Sequence, residues 1–248
     1  MPDADVLFRV KRYRPGSDSR PRYQEYRIPY RNDMVVLDGL NYIKDHVDPT
    51  LAFRWSCRMG ICGSCGADVN GHPKLTCGTY VREFRRGVVT VDPLANFPII
   101  KDLVVDFDDF LNKLASVTPY IVRKEEGDLK QEYIQYPEDV EAYRQQSLCI
   151  NCMLCYAACP VFAASPAFVG PAASALALRY IRDTRDEGAD ERLARLNTKS
   201  GVWECTFVGE CSVACPKGVD PAAAIQTLKF LATTRHMRRL LMPKSVSR

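Results

Sequence analysis

The sequence predicts an α+β protein in two parts, a small sheet crossed by a helix followed by a helical second half. Three observations carry this: apolar residues alternate along residues 6–13 and 23–30, they recur at helical spacing through much of the chain beyond residue 102, and eleven cysteines fall in three dense groups. At about 100 to 200 residues per domain, 248 residues allow one large domain or two small ones. A composition 46% hydrophobic with a net charge of +4 is that of a globular protein and excludes disordered and collagen-like chains. So thin a positive excess predicts no nucleic-acid partner, because phosphate binding concentrates basic residues on one face.

Taken in order, residues 6–13 and 23–30 read as two strands joined across Pro15-Gly16 and the polar Ser17-Asp18-Ser19. Val36, Leu40, Ile43 and Val47 predict a helix, with Asp38 as a cap. A strand at 51–55 runs into the first cysteines, Asn70-Gly71 marks a tight turn, and residues 88–91 close the sheet. Beyond it, residues 103–114 are amphipathic and Pro137 opens a helix over 138–147. Further helices are expected at 172–182, 190–196 and 221–241, and the boundary is placed between residues 102 and 120.

Residues 145–178 carry no charged side chain. A membrane span needs about 20 apolar residues in one unbroken helix, however, and Pro160, Pro166, Gly170 and Pro171 interrupt this stretch beside four cysteines. The segment is therefore read as a dry lining around metal centres. The arginines between Arg9 and Arg22 resemble a transit peptide, but Val6, Phe8 and Val10 alternate as a strand does. The first residues lack the basic and apolar regions of a secretory signal, so the thiols are expected in a reducing compartment, where clustered cysteines serve as metal ligands.

The first group is Cys57, Cys62 and Cys65, followed by Cys77. Its C-x4-C-x2-C spacing is that of plant-type [2Fe-2S] ligation. Three thiolates converge from so short a loop only if the backbone folds tightly, and Gly60, Gly63 and Gly66 permit the positive φ this requires. The competing zinc reading favours C-x2-4-C pairs with a distant second pair. The second group, Cys149, Cys152, Cys155 and Cys159 before Pro160, is a full C-x2-C-x2-C-x3-C-P run, in which the fourth cysteine ligates the other cluster of a two-cluster ferredoxin. The third, Cys205, Cys211 and Cys215 before Pro216, fits the same template with Val208 where a cysteine belongs.

Under that exchange, Cys149, Cys152, Cys155 and Cys215 make a [4Fe-4S] site, while Cys159, Cys205 and Cys211 stop at three ligands and predict [3Fe-4S]. All eleven cysteines are then used, which neither a disulfide scheme nor a zinc scheme achieves. Pro160 and Pro216 are expected to end each loop. No nucleophile stands beside a base and no G-x-G-x-x-G opens a dinucleotide fold, so no catalytic residue is predicted. His46, His72 and His236 lack Rieske spacing and read as surface histidines. Three clusters in one chain make an electron wire whose donor and acceptor lie elsewhere.

With the groups in this order, the sequence resembles the iron-sulfur subunit of the succinate dehydrogenase and fumarate reductase family. The likeness runs through residues 54–65 and 149–160, Gly170-Pro171-Ala172, Thr184-Arg185-Asp186 and Cys215-Pro216-Lys217-Gly218. It implies an N-terminal β-grasp plant-type ferredoxin domain over 1–105 and an all-α, bacterial-ferredoxin-like helical domain over 106–248. It also implies a flavoprotein subunit carrying FAD, a membrane-anchor subunit, and electrons passing between flavin and quinone as succinate is oxidised or, in reverse, fumarate reduced. The wire of another flavin dehydrogenase is the alternative, and a zinc-structured binding module a distant one.

In that family the quinone lies beside the three-iron cluster. Ubiquinone-linked members carry a tryptophan and a histidine where this chain has Ala164 and Thr206. The resemblance points instead to menaquinone, with Pro160, Thr206, Phe207, Gln226 and Lys229 as its binding positions. After Asp220 only basic charges accumulate, at Lys229, Arg235, Arg238, Arg239, Lys244 and Arg248, which suits the anionic cytoplasmic face of a membrane or a solvated helix end. The expected location is peripheral, on the cytoplasmic face of the inner membrane.

Overall fold

The structure, a computed structural model, describes residues 5–84, 87–124 and 132–241, except for the side chains of residues 236 and 238–241. The side chains of Arg238, Arg239 and His236, and the residues Lys244 and Arg248, lie outside what is described. The chain divides into two compact units. One comprises the described residues up to Asp109 with Ile150–Ala158 and Ala214–Pro216; the other comprises Phe110–Cys149, Cys159–Val213 and the residues from Lys217 onward.

In the first unit, β1 (Asp5–Arg12) and β2 (Arg22–Pro29) pair antiparallel with Phe8 opposite Tyr26. β3 (Gly66–Val69), β4 (His72–Leu75) and β5 (Val89–Asp92) complete a sheet of order β2-β1-β5-β3-β4, in which β1 and β5 run parallel. The alternation on β1 buries Val6, Phe8 and Val10. Across that face lies α1 (Val36–Tyr42), continued by a π-helical turn, Ile43–Val47. A Cβ at Gly39 would stand 2.3 Å from the Phe8 ring, so the helix reaches the sheet only with glycine there. Asp38 caps this helix as predicted, though from its third position rather than as the N-cap. Val35 is the N-cap, and Asp38, three residues on, accepts the Val35 N–H at 3.1 Å.

Asn70 and Gly71 both adopt positive φ, 52° and 84°, in the two-residue turn of the β3–β4 hairpin. The strand expected at 51–55 is absent, because a side chain satisfies its backbone. Asp102 sits at positive φ between β6 (Ile99–Lys101) and β7 (Val104–Val105). Its carboxylate accepts Ala52 N (2.9 Å), Tyr13 N (3.0 Å) and Arg12 Nε (2.9 Å), and Leu103 N donates to Ala52 O. Arg12 is 5% exposed and also donates to Asp48, Tyr26 and Thr50. Burial opposes the Arg12 charge, but the bonds to Asp102 and Asp48 outweigh it and hold the guanidinium above its usual range. The approach to Cys57 is thus pinned by a buried ion network rather than a strand ladder.

The second unit is helical. α2 (Asp108–Ser116) begins later than the predicted 103–114, because Val104–Val105 pairs in the short β6–β7 hairpin. The helix expected over 138–147 is broken into α3 (Pro137–Glu141) and α4 (Arg144–Ser147), with Tyr143 out of helical geometry between them. α7 (Pro171–Ile181) buries Ala172, Ala173, Ala175 and Ala177, whose small side chains admit α10 (Pro221–Leu241) alongside; α8 (Ala189–Leu196) packs on both. Asp183, with a fully buried side chain, accepts from Arg179, Arg185 and Gln135 at 2.8–2.9 Å. Hydrogen bonds from Arg185 outweigh its burial and hold its carboxyl down at about 2. Asp186 takes Arg192 and the Val122 N–H, while Arg192 donates to the carbonyls of Val117, Thr118 and Tyr120. The Thr184-Arg185-Asp186 stretch therefore staples irregular backbone to the helices.

The uncharged stretch 145–178 forms no single helix but the short α4, α5 (Leu154–Ala157) and α6 (Pro160–Ala164) and then α7. Among the described residues, no helix is long and apolar enough to cross a membrane.

Candidate metal centres

The first cysteine loop turns on positive φ at Arg58 (59°), Gly60 (68°) and Gly63 (71°). This aims backbone N–H groups at sulfur. Cys57 Sγ accepts from Cys62 N (3.3 Å), Ile61 N (3.4 Å) and Met59 N (3.5 Å), and Cys62 Sγ accepts from Cys57 N (3.5 Å). The N–H groups of Met59, Cys62 and Ile61 lower the Cys57 thiol to about 6, so it is readily a thiolate. Cys65 and Cys77 lie at the inner side, 4% and 9% exposed. Burial, with the bond to Cys65 next, pushes Cys77 up to about 11. A rim of N–H donors around anionic sulfur fits an iron-sulfur cluster, whose ligands are thiolates and whose potential such hydrogen bonds tune. Among the described residues, no three or more His, Cys, Asp or Glu side chains are gathered as a single ion requires.

Gly66, expected at positive φ with Gly60 and Gly63, is instead the first residue of β3. Its role is close packing, as a Cβ there would meet Cys152 O at 3.1 Å. Gly63 combines both demands. A Cβ on it would lie 2.7 Å from Ile150 O and 3.0 Å from Cys152 Cα. Cys65, Cys77 and Cys152 share one apolar cluster with Leu37, Leu75, Leu94 and Leu154. Cys65 and Cys77 of the first group and Cys152 of the second thus share one packed apolar cluster within the first unit.

The second and third groups share a backbone as well as a spacing. Asn151 (φ 52°) and Met153 (φ 67°) bracket Cys152; 56 positions later, Phe207 (61°) and Gly209 (89°) bracket Val208. A four-residue helix follows each, α5 with Cys155 second and α9 (Glu210–Val213) with Cys211 second. Val208 therefore occupies the conformational place of Cys152. Cys152, Cys155 and Cys215 belong to the first unit and Cys149 to the second.

Cys159, Cys205 and Cys211 all lie in the second unit; Cys159 feels the charge of Cys205, and Cys211 that of Cys159 and Cys205. Burial, chiefly, raises Cys159, and raises Cys211 to about 11. Pro160 does not end its loop but opens α6, whose N-cap is Cys159 with Sγ accepting Phe162 N at 3.4 Å.

Of the predicted quinone positions, Pro160, Thr206 and Phe207 are exposed. Lys229 Nζ donates to Cys205 O at 2.7 Å and lies 5.8 Å from the centroid of the Trp203 ring. Gln226 Nε2 is buried with no hydrogen-bond partner among the described residues. His46 and His72 are exposed. Sequence reasoning passed over Trp203, although the chain's two tryptophans, Trp55 and Trp203, each stand two residues before the first cysteine of a group. It also passed over Glu204, whose carboxylate accepts Ser165 Oγ with both oxygens at 3.1 Å.

The 2Fe-2S iron-sulfur cluster binding domain family matches residues 7–112, and the 4Fe-4S dicluster domain family matches residues 145–219. The fumarate reductase iron-sulfur subunit of Mycobacterium tuberculosis is 54% identical over 96% of this chain and 97% of its own. That of Haemophilus influenzae is 48% identical over 95% and 96%. The chain belongs to the family of fumarate reductase and succinate dehydrogenase iron-sulfur subunits. A chain of the Mycobacterium smegmatis Sdh1 complex in the apo form superposes with a TM-score of 0.82 at 28% identity, over 95% of this chain and 98% of that one. As a member of that family the protein is an electron-transfer subunit of an oxidoreductase. It has a plant-type ferredoxin part and a helical dicluster part, and the zinc reading of its cysteines is set aside.

Proposed function

We propose that this chain carries electrons between the flavin of a partner subunit and a membrane quinone through three clusters held by its eleven cysteines. Cys57, Cys62, Cys65 and Cys77 would hold [2Fe-2S], Cys149, Cys152, Cys155 and Cys215 would hold [4Fe-4S], and Cys159, Cys205 and Cys211 would hold [3Fe-4S]. The clusters would supply one-electron carriers; the chain's own residues fix their spacing, keep water out and aim N–H groups at sulfur. The division of labour is residues 1–105 for the first cluster and 106–248 for the other two. The observation that carries the third assignment is the repeated backbone with Val208 in the place of Cys152. The names of the relatives favour fumarate reduction, with the same wire serving succinate oxidation; menaquinone is the quinone proposed with it.

Phe207 (58% exposed), Val208 (57%), Val213 (82%) and Phe230 (67%) leave much apolar surface near the third group. This supports contact with a membrane anchor, with the quinone bounded by Pro160, Thr206, Phe207, Gln226 and Lys229; a peripheral place on the cytoplasmic face is the location proposed with it. The test is iron and sulfide analysis with low-temperature EPR on the purified complex, where about nine iron atoms per chain are expected. Val208→Cys should replace the three-iron signal by a four-iron one of lower potential. Zinc in place of iron, or an unchanged three-iron signal in Val208→Cys, would overturn the assignment.

A further inference from the structure

The segments bearing Cys159 and Cys205 are tied together by hydrogen bonds. α6 starts immediately after Cys159 and ends at Ser165, whose hydroxyl donates to both carboxylate oxygens of Glu204 at 3.1 Å. Glu204 is the residue before Cys205 and is half-buried. Val169 N–H donates to Ser200 O at 2.7 Å and holds the same two segments a little farther along. Among the described residues, no Lys, Arg or His comes within ion-pair distance of Glu204. The carboxylate of the residue preceding Cys205 is thus held by a neutral hydroxyl, with no cation paired to it among the described residues. On the other side of Cys205, Lys229 donates to the Cys205 carbonyl at 2.7 Å.

We propose that Glu204 sets the electron affinity of the centre held by Cys159, Cys205 and Cys211, with Ser165 as the residue that positions it. Reduction adds an electron, and a fixed negative charge close by opposes the addition, more strongly where protein replaces water around it. Glu204 therefore lowers the reduction potential of this centre, while Lys229, of opposite sign, acts against it. The inference rests on the ligand assignment proposed above.

The experiment is potentiometric titration of the three-iron EPR signal in the intact complex. Glu204→Gln keeps the shape and removes the charge. At fixed solution potential it should raise the ratio of reduced to oxidised centre about tenfold, or about 59 mV for a one-electron couple. Glu204→Asp keeps the charge and should stay near the parent value. Ser165→Ala keeps the carboxylate but frees it toward water, and should fall between. The potentials of the other two clusters should not move.

An unmoved midpoint in Glu204→Gln, or equal shifts in the Gln and Asp variants, overturns the proposal. Should Glu204→Gln not assemble the centre, an unshifted Ser165→Ala overturns it as well. Presence of the three-iron signal in the parent complex separately tests the ligand assignment, so the two failures are distinguishable.

Discussion

Replacing Gly63 by alanine tests whether the first two cysteine groups are coupled by packing. Gly63 has φ 71°, and a Cβ there would stand 2.7 Å from Ile150 O and 3.0 Å from Cys152 Cα. Gly60 has nearly the same conformation, φ 68°, with nothing within 4 Å of its Cβ position. Left-handed backbone costs a non-glycine residue about 1–2 kcal/mol, and both substitutions carry that cost. Only Gly63→Ala adds the overlap, about 1–3 kcal/mol for forcing a methyl group into packed surroundings. Because the clashing atoms belong to the segment carrying Cys152, the disturbance should reach the second group as well. In the purified complex, EPR of the reduced clusters should show Gly60→Ala reducing or broadening the [2Fe-2S] signal alone. Gly63→Ala should perturb the [2Fe-2S] and [4Fe-4S] signals together and lower the midpoint of chemical denaturation further. Equal effects of the two variants on both signals and on stability would refute the packing argument.

The buried ion network supplies a second expectation. Asp102→Ala removes one of two carboxylates around Arg12 and the acceptor of the Ala52 N–H, so it should cost about 3 kcal/mol, toward the lower end of the 3–5 kcal/mol for stranding a buried charge, since Asp48 remains. Denaturant titration checks this, and a loss below about 1 kcal/mol would show that the network holds nothing in place. Asp183 gives a pH-dependent one. Its carboxyl is held at about 2 against an ordinary 3.8, so the native state is stabilised above pH 3.8 and loses this as pH falls toward 2. Asp183→Asn should cost about 2 kcal/mol at neutral pH, with the gap from the parent narrowing below pH 4. A gap constant across that range would count against the charge.

The iron-sulfur family was the most legible part of the sequence, because coordination chemistry constrains the spacing of cysteines along a loop. The same holds for Asn70-Gly71, where a two-residue hairpin demands left-handed backbone at both positions. Elements decided by distant partners were not legible. Residues 51–55 have strand composition, but Asp102, fifty positions later, takes the amide of Ala52. Residues 103–114 have helical periodicity, yet Val104–Val105 pairs with β6. Gly66 looked like a third flexible glycine of the loop, and only the approach of Cys152 shows that it is needed for its lack of a side chain. Glu204 could not be singled out from sequence, since a glutamate before a cysteine carries no signal until Ser165 is seen to hold it.

In the proposed assignment, the repeat explains how one chain would hold two kinds of cubane-derived centre without two kinds of fold. Left-handed residues at 151 and 153, and again at 207 and 209, turn the backbone the same way on either side of the middle position. That geometry does not depend on whether the middle side chain binds iron, because Phe207 and Gly209 adopt it around a valine. Changing cysteine to valine therefore removes one ligand while leaving the loop intact, and in the proposed assignment it removes one iron from the centre. Val208 is 57% exposed whereas Cys152 is 8% exposed, so the two equivalent positions differ in surroundings far more than in conformation. The buried position adjoins the first cysteine group, and the exposed one belongs to the apolar surface assigned to the anchor and quinone. In that assignment, chemical identity along the wire is set by side chains and their environment on a backbone that repeats.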